Sequence, residues 1–121
     1  MPPPILVVDD EADLLASYER LLRRQGFRVV SAGSYGEGLA AIEREQFALV
    51  ITDLRLPDGD GLDLVRAARR LPTPTPSMVV TGFASEASRT ASMAAGASAF
   101  LAKPFAAASF TSLVNQVVRP G

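Results

Sequence analysis

The residues best able to do chemistry in this chain are the acidic run Asp9-Asp10-Glu11, the single Asp53, Thr81 and Lys103. Each follows a short apolar run. These are Ile5-Leu6-Val7-Val8, Phe47-Ala48-Leu49-Val50-Ile51-Thr52, Met78-Val79-Val80 and Ala99-Phe100-Leu101-Ala102. Clustered carboxylates repel one another, so they are either protonated or neutralised by a cation. Aspartate oxygens with a main-chain carbonyl make a shell that suits Mg²⁺ or Mn²⁺ rather than Zn²⁺. Such a site keeps water on the metal and leaves room for a phosphate oxygen, to which Thr81 can donate and with which Lys103 can pair. The set suits phosphoryl transfer, where positioning and charge neutralisation supply most of the catalysis. Asp53 lies centrally and is the candidate nucleophile of an aspartyl phosphate.

Taken singly, each residue has an ordinary role. The acids can cap a helix, Asp53 can end a loop, Thr81 is a good strand former and Lys103 precedes Pro104 in a turn. Their coincidence at the ends of four runs favours a shared site. Of 12 basic residues 11 are Arg and one is Lys, at Lys103. Lysine is the compact point charge that the arginine fork does not imitate.

The remaining composition narrows the field. At 121 residues the chain suits one domain with a real core. Net charge −1 argues against holding nucleic acid by phosphate contacts alone. Cysteine and histidine are both absent, which removes thiolate, imidazole and zinc-protease chemistry. No apolar run approaches the roughly 20 residues of a membrane span. Met1-Pro2-Pro3-Pro4 lacks the features of a signal peptide. The expectation is a cytoplasmic domain over residues 4–118, with no direct nucleic-acid or membrane partner.

The runs must be strands for these residues to meet. The first and third are apolar on consecutive residues, as in strands buried on both faces. A weaker run, Phe27-Arg28-Val29-Val30, supplies the second of five strands. Between them lie five helical segments. Leu14, Leu15, Tyr18, Leu21 and Leu22 share one face, with Gly26 as stop. Leu39, Ala40 and Ile42 lie in the second; Leu62, Leu64, Val65 and Ala68 in the third, after the turn Pro57-Asp58-Gly59-Asp60-Gly61. Residues 85–95 form the fourth, between Ser85 and Gly96, and residues 106–118 the fifth. Pro72-Thr73-Pro74-Thr75-Pro76 is an extended loop. Alternation of this kind predicts a flavodoxin-like (βα)5 three-layer sandwich with a parallel five-stranded sheet in the order 2-1-3-4-5. Ligands bind such sheets at the carboxyl ends of the strands, where the order switches. Three carboxylates are expected to converge there.

On these motifs the chain resembles the receiver domain of bacterial two-component response regulators. The carrying segments are Ile5–Glu11, Thr52–Gly61, Val79–Gly82 and Gly96–Phe105, collinear over nearly the whole chain. The resemblance implies that Asp53 accepts a phosphoryl group from the phosphohistidine of a sensor histidine kinase or a phosphotransfer protein. It implies Mg²⁺, with Mn²⁺ as substitute, on Asp9, Asp10, Asp53 and the backbone carbonyl of Arg55. It implies that Lys103 contacts the phosphoryl group, that the Lys103-Pro104 bond is cis, and that Thr81 and Phe100 are the switch residues. The surface of the fourth helix, fifth strand and fifth helix would then change, acting on an effector domain or a second copy. Such a domain is a phosphoacceptor that assists its own phosphorylation and dephosphorylation, not an enzyme in the usual sense. The segments around Asp53 and Thr81-Gly82 look most like receivers attached to transcriptional activators. The expectation is either a stand-alone receiver or a fragment cut at a domain boundary, and Pro120-Gly121 suits the start of a linker without deciding between them. Arg55 and Phe83, each two residues past a site residue, offer no amide or acid to orient water, so self-dephosphorylation is expected to be slow.

Two other classes share parts of the pattern. A haloacid-dehalogenase-type phosphatase needs a second Asp two residues after its nucleophile, where Arg55 stands. A flavodoxin-like FMN module needs a phosphate-cradling first loop, and Asp9-Asp10-Glu11 repels phosphate unless metal is present. A receiver that signals without phosphorylation is opposed by the intact set of acids, Thr81 and Lys103.

Overall fold

Consecutive apolar residues in the first and third strands send side chains alternately to opposite faces, so both faces of the sheet need a covering layer. A computed structural model describes residues 2–119; the readings on Met1 and on Pro120-Gly121 lie outside the described residues. The chain order is β1 (Ile5–Val8), α1 (Ala12–Arg24), β2 (Val29–Ala32), α2 (Tyr35–Arg44), β3 (Leu49–Thr52), α3 (Gly61–Arg69), β4 (Ser77–Thr81), α4 (Glu86–Ala95), β5 (Ala99–Ala102) and α5 (Ala107–Val118). The five strands are parallel, in the order β2-β1-β3-β4-β5. This is the flavodoxin-like sandwich expected from the alternation. A two-residue antiparallel ribbon, Arg55–Leu56 against Gly59–Asp60, follows β3. What reads as a simple turn in sequence is therefore a small ladder.

The layers divide the core by residue parity. Ile5, Val7, Leu49, Ile51, Met78 and Val80 pack with Tyr18 and Leu22 of α1 and with Phe110 and Val114 of α5. Leu6, Val8 and Val50 face Ala41 and Ile42 of α2 and Leu64 and Ala68 of α3. Val79 packs with Leu62, Val65, Ala95 and Ala97. Each fully buried large side chain contributes roughly 1.5–3 kcal/mol relative to exposure, so the central strands are held firmly from both sides.

The second strand is displaced from the expected Phe27–Val30. The Phe27 N–H donates back to the Leu22 carbonyl at 3.1 Å and belongs to the end of α1, which closes at Gly26 with φ 91. The ladder begins only at Val29, opposite Ile5, and runs on through Ser31 and Ala32. Ser31 is exposed and donates to Glu19 at 2.7 Å, so its polarity conceals a strand position. The third strand starts at Leu49, not Phe47, although Phe47 is buried. The fourth extends to Ser77 and Thr81.

The fourth helix is well capped and poorly anchored. Ser85 and Ser88 form a reciprocal capping box, and Gly96 closes the helix at φ 109. Its buried residues are only Ser92 and Ala95, while Met93 stands in solvent. The first helix buries Tyr18 and Leu22, with Leu14, Leu15 and Leu21 packed beside them. Local opening follows buried apolar contact. Amide hydrogen exchange is therefore expected to be at least about tenfold faster in α4 than in α1, a ratio that needs only ~1.4 kcal/mol. Equal protection would show that close packing of small residues holds α4 as well as large ones hold α1.

Candidate functional site

The sheet brings Asp9, Asp53 and Lys103 together at the carboxyl ends of β1, β3 and β5. Asp9 continues the ladder, its N–H donating to the Ala32 carbonyl at 3.1 Å. The Asp53 N–H donates to the Val8 carbonyl at 3.3 Å, and the Lys103 N–H to the Thr81 carbonyl at 2.9 Å. The three backbones are thus fixed by the sheet itself. The Lys103 ammonium donates to Asp9 Oδ2 at 2.9 Å and to Asp53 Oδ2 at 2.7 Å. Glu11 lies at the rim, 3.7 Å from the same nitrogen. Both aspartates are buried, at 1% and 6% exposure. The Lys103-Pro104 bond is cis.

Two buried carboxylates on one ammonium set the local electrostatics. Burial is the largest single influence on Lys103 and pulls its pKa down, but the hydrogen bonds to Asp53 and Asp9, with their charges, outweigh it and raise the pKa above the ordinary lysine value. Tyr18, under the cluster, is pushed far upward by burial and then by the charges of Asp9, Asp53 and Glu11. Its ring stacks with Phe110 and Phe105 in the core layer beneath α1 and α5.

The two carboxylates keep different oxygens in reserve. Asp9 Oδ1 accepts the Glu11 N–H at 3.0 Å. Asp53 Oδ1 accepts only the Arg55 N–H, at a long 3.4 Å, and is the less committed oxygen. Asp10 is exposed beside the cluster. Among the described residues no group of three acidic side chains stands ready-made as a metal site. The expected convergence of three carboxylates is realised as two buried acids bridged by lysine.

Thr81 is fully buried at the end of β4, and its hydroxyl makes no hydrogen bond to Asp9, Asp53 or Lys103. Its hydroxyl oxygen accepts the Phe83 N–H at 3.1 Å, which leaves its hydrogen free to donate elsewhere. Phe100 is half-buried against the cluster of Leu62, Val65 and Val79, with the Arg89 guanidinium 5.8 Å from its ring centre. The exposed Arg55 guanidinium lies 3.9 Å from the centre of the Phe83 ring, a cation–π distance. That pair stands at the mouth of the site.

One structural requirement of Asp53 is missed by sequence reasoning. A Cβ on Gly61 would fall on the Asp53 carbonyl oxygen, and would lie 2.8 Å from its carbonyl carbon and 3.1 Å from Leu54 Cα. The Gly61 N–H donates to the Leu54 carbonyl at 2.8 Å, closing the chain round Asp53. In sequence this glycine is indistinguishable from any other in a turn.

An α/β sandwich with an acid–lysine cluster at its topological switch defines the class: a flavodoxin-like domain with a charged site at the carboxyl ends of its strands. Within it, residues 5–115 match the response regulator receiver domain family, and the chain belongs to that family. The chain is similar to the transcriptional regulatory protein PrrA of Mycobacterium tuberculosis, 36% identical over 117 residues, covering 97% of this chain and 50% of that protein. It therefore spans about half the length of this curated relative. A CheY-like receiver domain protein from Methanospirillum hungatei superposes with TM-score 0.91 at 35% identity, over 98% of this chain and 94% of that one. A response regulator from Burkholderia pseudomallei, solved with a phosphorylated aspartic acid, calcium ion and citrate, gives TM-score 0.85 at 29% identity, over 95% and 68%. Among the described residues no helix is long and apolar enough to cross a membrane.

Proposed function

We propose that residues 4–118 act as a phosphoacceptor unit in which Asp53 takes a phosphoryl group from the phosphohistidine of a sensor kinase or phosphotransfer protein. The observation that carries this reading is the buried Asp53 carboxylate, one oxygen held by Lys103 at 2.7 Å and the other nearly uncommitted. The uncommitted oxygen attacks phosphorus; the new O–P bond forms as the P–N bond breaks, and its electron pair returns to the imidazole. Lys103 stays with the negative charge as it moves onto the phosphoryl oxygens. The free hydrogen of Thr81 supplies a second donor. Charge-assisted bonds of this kind are worth roughly 1.5–3 kcal/mol each, and reversing a 1:99 equilibrium takes roughly 5.5 kcal/mol. Two such bonds reach the scale needed to switch a conformation.

The donors present fit a divalent cation. Asp9 and Asp53 are oxygen ligands already buried against a positive charge, and they need another when Lys103 follows the phosphoryl group. Asp9, Asp53 and the Arg55 carbonyl would hold Mg²⁺, with Mn²⁺ as substitute, and Asp10, exposed beside them in this structure, would complete the set by turning inward. The cation would supply charge neutralisation between the acids and the incoming phosphoryl group. The Burkholderia relative, solved with a phosphorylated aspartic acid and a calcium ion, supports the same assignment. Arg55 stacked on Phe83 at the mouth supports slow self-dephosphorylation, since neither side chain can serve as a base for water.

Phe100 and the weakly anchored α4 make the α4-β5-α5 surface the output of the switch. An effector domain or a second copy would read it, with transcription as the controlled process, as the name of the PrrA relative suggests. The test is intact-mass spectrometry after incubation with Mg²⁺ and acetyl phosphate, beside Asp53→Asn. The wild-type protein should gain one alkali-labile phosphoryl group and the variant none. Equal gain in both would remove Asp53 as acceptor. No gain, with Mg²⁺ binding shown separately, would favour an interaction domain that works without phosphorylation.

A further inference from the structure

The ribbon after β3 is tied down at its tip by contacts that the phosphoryl chemistry does not use. Asp58 at the tip accepts the Tyr35 N–H at 2.8 Å with one carboxylate oxygen and the Gly36 N–H at 2.9 Å with the other. Those are first-turn amides of α2, a different layer of the fold. The two bonds, to Gly36 and then Tyr35, hold the Asp58 carboxyl below its usual range. The ribbon also lies flat on α2, since a Cβ on Gly59 would meet the Tyr35 ring at 2.7 Å.

The second helix does not depend on Asp58 for its start. Ser34 is its own N-cap and accepts the Glu37 N–H at 3.1 Å. The distinctive effect of Asp58 therefore falls on the ribbon. From the tip, Gly59 and Asp60 pair with Leu56 and Arg55. Leu56 is buried in the core, and Asp60 caps α3 through the Leu62 N–H at 2.9 Å. Arg55 sits at the corner of this ladder nearest Asp53.

We propose that Asp58 is a positioning residue for the metal site: by clamping the ribbon to α2, it sets where the Arg55 main-chain carbonyl stands relative to Asp53. The proposal rests on the reading above in which that carbonyl is a Mg²⁺ ligand. Groups that orient a ligand without touching the metal typically govern its affinity by 10–100-fold.

The test compares wild type, Asp58→Ala, Asp58→Asn and Ser34→Ala by Mg²⁺ titration calorimetry, by thermal midpoint and by the Arg55 and Leu56 amide resonances of the metal-free protein. Asp58→Ala should bind Mg²⁺ about tenfold more weakly and shift both resonances. Asp58→Asn keeps one acceptor oxygen and should fall between. Ser34→Ala should lower the thermal midpoint yet leave affinity and resonances as in wild type. Wild-type affinity in Asp58→Ala, or equal weakening in Ser34→Ala, would overturn the proposal alone. A wild-type protein that binds no Mg²⁺ would overturn the metal assignment, and this proposal with it.

Discussion

Replacing Gly61 by alanine is expected to cost about 3 kcal/mol of stability and to remove most phosphorylation of Asp53. The added methyl would meet three backbone atoms: the carbonyl oxygen and carbon of Asp53 and Leu54 Cα. A flexible side chain could swing aside, whereas backbone can yield only by moving the peptide that carries the acceptor. Overpacking typically costs 1–3 kcal/mol, and a clash confined to main chain sits at the upper end. Gly61 is not among the glycines with positive φ, so the cost comes from close approach and not from lost backbone freedom. Gly33 is the control, since a Cβ there meets nothing within 4 Å. Gly33→Ala should stay within about 0.5 kcal/mol of wild type. Urea unfolding of the three proteins measures the difference, and phosphorylation well below the midpoint tests whether the surviving fold still presents Asp53. A Gly61→Ala protein as stable as Gly33→Ala would show that the Asp53–Leu54 peptide has room to shift.

Gly61 also marks where sequence reasoning stops. Polar residues that end an apolar strand are legible because burial demands the apolar run and the sheet edge ends it; Asp9, Asp53, Thr81 and Lys103 all stand out in this way. Helix ends are legible where one residue has one reason to be there, as at Ser85, Gly96 and Gly26. The segment Pro57–Gly61 is different. Turn composition accounts for all five residues at once, so it hides the clamp of Asp58 on α2 and the contact of Gly61 with Asp53. The second strand is obscured for a similar reason, because exposed Ser31 breaks the apolar run that Val29 and Val30 begin. At the site itself the residue types indicate a need for a cation near the acids. They do not indicate that Lys103 meets it by bridging Asp9 and Asp53 while Asp10 remains exposed. That division depends on ångström-scale register among three strands.

The bridge predicts that Lys103→Met destabilises the protein by about 3 kcal/mol near neutral pH, the lower end for breaking a buried ion pair. Methionine keeps most of the stem and removes the charge, leaving two buried carboxylates facing each other. The lower end applies because the Lys103 side chain is still 15% exposed, so solvent offsets part of the loss. The pH dependence fixes the sign. The folded-state pKa of Lys103 is raised, so its stabilisation is fully present below the ordinary lysine value and is lost as pH rises through the folded value. The gap between wild type and Lys103→Met should therefore be constant from neutral pH to the ordinary lysine range and close at more alkaline pH. Mg²⁺ should raise the urea midpoint of the variant more than that of wild type, since a divalent cation would meet two carboxylates with no resident ammonium. A gap that persists unchanged at strongly alkaline pH would mean that methionine harms packing, not charge balance. Equal midpoints at neutral pH would mean that the acids are content without a cation, and the charge argument for phosphoryl chemistry at Asp53 would lose its physical basis.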